Sequence, residues 1–291
     1  MKVFKQILDE DIIKLKNTFL KRSQIKTMIT KDTTAFTEDG KLLFIFKKRK
    51  IIHSHSFFDA VVPFIKKNPT SNRGSSTGST TKNVSSNPKV FSAIIGYFDR
   101  FSPRQKSIFK KNNLPMPLEV RATRYIQLHP NLYKSSVVPF VSQIDALYKK
   151  YLPIYYNKQS TKAKEMHFKI GDTAFTTITV NLNYQTTIHV DSGDDIEGFG
   201  NLTVIENGTY TGGETCFPQY GIGIDVRQGD VLFMDVHQWH ANLPLKFSAG
   251  AERLSIVCYL RKKLWERTRR KSLRFMHNRT KKLGPNLSGF I

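Results

Sequence analysis

Cysteine is scarce: Cys216 and Cys258 are the only two in 291 residues. Two thiols cannot build a disulfide framework or a cysteine-ligated zinc cluster, so stability has to come from a packed core. Long apolar runs are missing as well. No stretch approaches the ~20 apolar residues of a membrane span, and the N-terminal "MKVFKQILDEDIIKLKNTFLKR" lacks the uninterrupted apolar centre of a secretory signal. These absences set the expectation of a soluble intracellular protein, in a nucleus or in a viral or bacterial host cytoplasm, with no membrane partner. Acid is the third shortage. Against 46 Lys and Arg stand 23 Asp and Glu, a formal net charge of +23. A field of that sign favours polyanionic partners, nucleic acid first among them. What is present in quantity is core material, 39% hydrophobic and 12% aromatic residues, which excludes global disorder.

The positive charge is clustered. Lys47 to Lys50 form an unbroken basic run, readable as a nuclear address, a phosphate-contacting edge or a solvated strand end. Residues 67–89, "KNPTSNRGSSTGSTTKNVSSNPK", contain no acid and read by composition as a loop, either a functional flap or an insertion. From Arg261 to Lys282 eleven basic residues face one Glu, with Trp265, Phe275 and His277 interleaved. This tail is expected to be a phosphate-binding appendage.

Periodicity gives the elements. Phe4, Ile7, Leu8, Ile12, Leu15 and Phe19 predict a helix over residues 1–22, and "TTAFTEDGKLLFIFKKRK" predicts a hairpin turning at Asp39-Gly40. Phe140, Ile144, Leu147, Tyr148 and Tyr151 mark one helical stripe that Pro153 ends. From about residue 165 the pattern turns to short strands between Gly-rich turns, which predicts a sandwich or jelly roll. The expected fold is α+β: one domain over residues 1–262, with N-terminal support and rim at 1–164 and a jelly-roll core at 165–262. A basic extension follows at 263–291, and a monomer is favoured.

One segment does not fit plain β structure. "TTIHVDSGDD" places His189 and Asp191 two apart on an expected strand, where alternate side chains share a face. Further on, "GDVLFMDVHQWHANLPL" brings His237 and His240, and Arg253 opens "ERLSIVCYL" thirteen residues beyond His240. Two His and one carboxylate form the facial triad that binds Fe(II) and leaves positions open. Arg253, with Ser255 on the same strand face, suits the far carboxylate of a 2-oxo diacid. His240 is preferred to His237 as the distal ligand, although a zinc site using both remains a reading that leaves Arg253 without a role. Asp194 and Asp195 are expected in an exposed turn, with a substrate contact as the alternative, Asp235 as the partner of a neighbouring His or a strand cap, and Cys216 in the core.

Together, "VNLNYQTTIHVDSGD", "GFGNLTVIENGTYTGGETCFPQYGIGIDVRQGDVLFMDVHQWHANLPL" and "ERLSIVCYLRKK" resemble the TET/JBP family of Fe(II)/2-oxoglutarate dioxygenases, particularly its viral, phage and microbial members. The resemblance extends upstream through "SNRGSSTG", "AIIGYFDR" and "YLPIYYNKQ", and covers about residues 68–262. It implies a double-stranded β-helix core, with His189, Asp191 and His240 as iron ligands and Arg253 with Ser255 as the 2-oxoglutarate anchor. It further implies O2 as cosubstrate and hydroxylation of the 5-methyl group of a flipped 5-methylcytosine or thymine. Asn72, Arg73, Gly74, Asn183, Tyr184 and Trp239 become candidates for the substrate rim and base pocket. "GGETCFP" also resembles the corresponding segment of prolyl 4-hydroxylases, which makes a prolyl or other protein hydroxylase the alternative. Those enzymes typically carry Lys where Arg253 stands.

Overall fold

The computed structural model of the chain describes residues 1–51, 55–70, 90–101, 103–113, 119–272 and 274. The first element is a short helix, α1 (Asp9–Lys14), with acids in its first turn and Lys14 in its last, the charge order a helix dipole favours. Strands β1 (Thr27–Ile29), β2 (Thr33–Phe36) and β3 (Leu42–Lys47) follow, then helix α2 (His55–Lys67). The β2–β3 turn is where Asp39-Gly40 predicts it, with Gly40 at φ +80°. Strand β4 (Ser92–Phe98), helix α3 (Pro103–Lys111), the two-residue β5 (Arg121–Ala122), and helices α4 (Arg124–Leu128), α5 (Val138–Tyr151) and α6 (Pro153–Lys164) make up the middle of the chain. Pro153, which cannot donate a backbone hydrogen bond, separates α5 from α6 and sits at the first position of the latter. The β-rich part runs from β6 (Thr177–Leu182) and β7 (Gly200–Asn207) through β8 (Tyr210–Gly212), β9 (Thr215–Phe217) and β10 (Ile222–Ile224). It closes with β11 (Val231–Met234), β12 (Ala241–Asn242), β13 (Leu245–Phe247) and β14 (Glu252–Tyr259), before helix α7 (Lys262–Thr268).

Two compact units emerge, and strands β4, β6 and β14 carry residues of both. The first unit takes residues 1–93, 179–192 and 199–257. Its larger sheet runs β2-β3-β11-β7-β14-β6, with β11 antiparallel to both β3 and β7. Its smaller sheet runs β1-β10-β9-β12. Residues of the two sheets meet in one core: Leu43, Phe44, Phe46, Leu202, Val204, Leu232 and Met234 from the larger, Ile29, Phe217, Ile222 and Ile224 from the smaller. Phe44 and Phe217 stack across it with ring centroids 5.8 Å apart. Each such fully buried Phe contributes roughly 2–3 kcal/mol. This is the facing-sheet arrangement of a jelly roll, and with the helices the fold is α+β.

The N-terminal prediction needs correction. Only Asp9–Lys14 is α-helical, and Phe4, Leu8 and Phe19 are exposed. The first residues are drawn to a sheet edge instead, where Val3 N–H donates to Phe36 O at 2.8 Å, and Asn17 adopts φ +62°, which ends helical geometry. Ile12, Leu20 and Ile25 still pack, against Ile188, Cys216, Ala241 and Leu243.

The second unit takes residues 94–178, 193–198 and 258–291. Phe140, Ile144 and Tyr148 are buried along α5 as the stripe predicts, and Tyr148 stacks on Phe175 at 5.9 Å. Asp194 and Asp195 correct the exposed-turn expectation: both are buried, and Asp195 accepts from Lys162 Nζ at 2.6 Å. Part of the basic tail is likewise used internally. Arg261 Nε donates to the buried Asp99 carboxylate at 2.5 Å, and Arg267 Nη1 bonds Asp99 O and lies 3.5 Å from the Glu119 carboxylate. Among the described residues no helix is long and apolar enough to cross a membrane.

Candidate functional site

All the described candidate residues lie in the first unit. His189 and His240 occupy directly opposed positions of an isolated antiparallel bridge, each N–H donating to the other's carbonyl at 3.0 and 2.9 Å. Opposed residues of such a pair project from the same face, so the two imidazoles stand side by side with centroids 4.3 Å apart. The expected strand through His189 and Asp191 is therefore reduced to this bridge. Asp191 is fixed by its N–H to Val236 O at 3.0 Å instead of by a ladder. Its carboxylate lies 3.9 Å from His189 Nε2 and 3.6 Å from His240 Nε2. Those separations are too long for hydrogen bonds, yet the three ligand atoms all fall within 4.8 Å of one another.

Tautomer is set by the backbone. His189 Nδ1 is 2.6 Å from Thr187 O, and His240 Nδ1 is 2.9 Å from Gln238 O. A carbonyl only accepts, so each Nδ1 carries a proton, which leaves Nε2, the nitrogen facing Asp191, as the ligating position. Imidazole held this way by its far nitrogen is the usual state of a metal-ligating histidine. Two neutral imidazoles and one carboxylate fit a divalent ion such as Fe(II), and three donors leave coordination positions open. His237 is engaged elsewhere, with both its N–H and its Nδ1 on Asp235 Oδ1 at 3.0 and 3.1 Å.

Arg253 is 2% exposed. Its Nη2 donates to Gly213 O at 3.0 Å, its Cζ lies 5.9 Å from the Tyr210 ring, and its buried Nε has no hydrogen-bond partner among the described residues. A buried guanidinium with an unsatisfied donor is a site for an anionic oxygen. Asn242 Nδ2 also reaches Gly213 O, at 3.2 Å, two residues past His240. Asn242 in turn accepts from Thr186 Oγ1 at 2.7 Å and Gln185 Nε2 at 2.9 Å, so the arginine and the histidine segments share one polar network. Burial pushes the Tyr210 hydroxyl up to about 12, against the lowering effect of Arg253.

A family model described as the oxygenase domain of the 2OGFeDO superfamily, Tet_JBP, matches residues 106–262. The chain belongs to the Tet_JBP family. Among its relatives are the bifunctional helicase and thymine dioxygenase JBP2 of Trypanosoma cruzi, 31% identical over 62% of this chain and 16% of that protein. The thymine dioxygenase JBP1 of Trypanosoma brucei brucei is 32% identical over 60% of this chain and 20% of its own. The chain thus spans a fifth or less of the length of these relatives. A solved structure of NgTET1 in complex with 5mC DNA covers 94% of this chain and 100% of its own at a TM-score of 0.50 and 14% identity, a likeness of fold.

The remaining candidates of this Tet_JBP domain divide by surroundings. Ser255 is buried on β14, two residues beyond Arg253. Tyr184 donates its hydroxyl to Asn181 Oδ1 at 2.6 Å, and Trp239 packs against the cluster around Ile188. Asn183 directs its side-chain oxygen to the Arg253 N–H at 2.6 Å. Asn72, Arg73 and Gly74 lie outside the described residues. Sequence reasoning did not single out Gly213 or Asn242. The paired glycines of "TGGETCF" carried the signal, since a Cβ on Gly213 would sit 3.1 Å from Arg253 Nε.

Proposed function

We propose that this chain is an Fe(II)/2-oxoglutarate-dependent dioxygenase that hydroxylates the 5-methyl group of a flipped pyrimidine in DNA. Thymine is the first substrate to test because the thymine dioxygenases JBP1 and JBP2 are the curated relatives at 31–32% identity, and 5-methylcytosine is the second. The observation that carries the reading is the convergence of His189, Asp191 and His240, both imidazoles held in the ligating tautomer, within a family of oxygenases. In this reading the three side chains hold the iron, and Arg253 fixes the distal carboxylate of 2-oxoglutarate with Ser255 beside it. Bound there, the ferrous ion with 2-oxoglutarate and O2 supplies the oxidation that places a hydroxyl on a C–H carbon, with succinate and CO2 released. The protein's own work is to orient, to exclude water and to present the methyl. A 5-methyl group projects into the major groove of duplex DNA, so the nucleotide has to leave the stack, at a cost of a few kcal/mol. Lys and Arg contacts to phosphate offset that cost.

The test is direct. The chain is incubated with Fe(II), 2-oxoglutarate and oligonucleotides carrying thymine or 5-methylcytosine, with a proline-containing peptide in a parallel reaction, and nucleosides and peptide are read by mass spectrometry. A hydroxymethylated base is expected. Oxidation of the peptide alone, or succinate formation with no modified base, overturns the nucleic-acid reading. His189→Ala is expected to lose Fe(II) and turnover while oligonucleotide affinity stays within about two-fold, because phosphate contacts rather than the triad supply that affinity.

A further inference from the structure

We infer that Asn183 is a positioning residue for Arg253, setting the register of the cosubstrate anchor instead of contacting the base. The inference rests on the proposed role of Arg253. Strand β6 ends at Leu182, and the next residue turns into the left-handed region at φ +55°. Asparagine is among the few non-glycine residues that adopt this conformation readily. The turn has two effects. It breaks the β ladder, so that residues 184–191 leave the sheet and run toward the opposed His189–His240 pair. It also swings the side-chain carbonyl to where a regular strand would offer a backbone carbonyl. Asn183 Oδ1 accepts the Arg253 N–H at 2.6 Å, while Asn183 N–H donates to Arg253 O at 3.0 Å. Both backbone groups of Arg253 are thus held by one residue 70 positions earlier in the chain.

Further along, the guanidinium of Arg253 is steadied by Gly213 O, which Asn242 also engages. Arg253 is therefore gripped at its backbone by Asn183 and at its tip by the glycine carbonyl, while the buried Nε has no partner among the described residues and is available to a carboxylate. A long side chain delivers a fork accurately only when its root is fixed. Asn183 is what fixes the root.

The experiment measures 2-oxoglutarate binding by calorimetry on the full chain loaded with Mn(II), which occupies an iron site without turnover. Asn183→Gly keeps the left-handed backbone and deletes the acceptor. It is expected to weaken 2-oxoglutarate about 10-fold, the effect of one lost buried hydrogen bond on a pre-organised anchor, with Mn(II) and oligonucleotide affinities within about two-fold of the parent. Asn183→Asp retains both the acceptor and the left-handed preference, and is expected to bind 2-oxoglutarate nearly as the parent does. In turnover, KM for 2-oxoglutarate rises in Asn183→Gly while kcat holds. Should the glycine variant not melt cooperatively, Asn183→Ser, whose hydroxyl falls one bond short of the amide oxygen, is read in the same way. Unchanged 2-oxoglutarate affinity, parallel loss of Mn(II), or loss confined to the oligonucleotide each overturns the inference. A parent chain that binds Mn(II) but no 2-oxoglutarate refutes the role of Arg253 itself, a result distinct from the other three.

Discussion

At Gly213 the backbone sits at φ +76°, and an added Cβ would lie 2.4 Å from Leu245 Cδ2 and 3.1 Å from Arg253 Nε. The missing side chain is what lets the loop before β9 lie against the guanidinium. Gly213→Ala combines left-handed strain with overpacking and is expected to destabilise the fold by about 1–3 kcal/mol. A thermal melt shifted down by several degrees, together with weaker 2-oxoglutarate binding, is the expected result; an unchanged melt and unchanged affinity would remove Gly213 from the anchor. At this scale the sequence is legible in part. His189, Asp191, His240 and Arg253 stand out because His, Asp and Arg at strand ends have few structural uses. Asn183 stands out only as a base-pocket candidate, and Gly213 only as one of a pair of glycines, because their link to Arg253 lies in what faces them 70 and 40 positions away, which no local pattern specifies.

Among the elements, the basic end of β3 shows how a charged run becomes a fixed shape. Lys47–Lys50 reads equally well as a solvated end or a phosphate-contacting edge, but the structure gives it a rigid mount. The Asp230 carboxylate, 1% exposed, accepts from Arg49 N–H at 2.9 Å, Arg227 N–H at 3.0 Å and Lys48 Nζ at 3.0 Å. Arg49 itself is held at φ +52°. Asp230→Ala would strand two backbone donors and an ammonium, so a loss of roughly 2–4 kcal/mol is expected in chemical denaturation; a change under about 0.5 kcal/mol would mean that solvent replaces the carboxylate freely. Strand β6 is legible because its apolar alternation follows burial, whereas β7 and β11 are buried almost throughout and are marked by short β-branched and apolar runs between turn residues. The N-terminal helix is not legible, since Phe4, Leu8 and Phe19 of its apolar spacing stay exposed while Ile12 packs with Leu20 and Ile25 from separate short segments. The acidic pair after Asp191 misleads for a related reason. Asp195 finds Lys162, 33 residues earlier, and is buried with it, a pairing that local polarity cannot announce.

Taken as a whole molecule, the chain has two properties, one set by pH and one by charge, that follow from placement. Burial pushes the hydroxyls of Tyr125, Tyr156, Tyr210 and Tyr220 up to about 12. The folded state thus holds these protons more tightly than the unfolded chain, where tyrosine titrates near 10. Their contribution to stability is complete below about pH 10 and is lost as pH rises through about 12; an alkaline titration of tyrosinate absorbance should show late phases that move to about 10 once the chain is unfolded in denaturant. The net charge of +23 predicts a second behaviour. With about six phosphate contacts, oligonucleotide affinity should fall about 10³-fold between roughly 50 and 200 mM salt. Not every cation takes part. Arg261 and Arg267 are committed to Asp99 and Glu119, and Lys162 to Asp195 and Glu197, so neutralising them should cost stability and leave the salt slope intact. Arg49 and Lys50 are exposed, on the turn that Asp230 holds rigid. Because the mount fixes the backbone, Arg49→Gln with Lys50→Gln should leave the melt nearly unchanged while reducing the slope of log K against log salt by about two, one for each phosphate no longer neutralised. An unaltered slope in that double variant, measured beside an unaltered melt, would leave the end of β3 as solvated surface and assign the phosphate contacts to other cations.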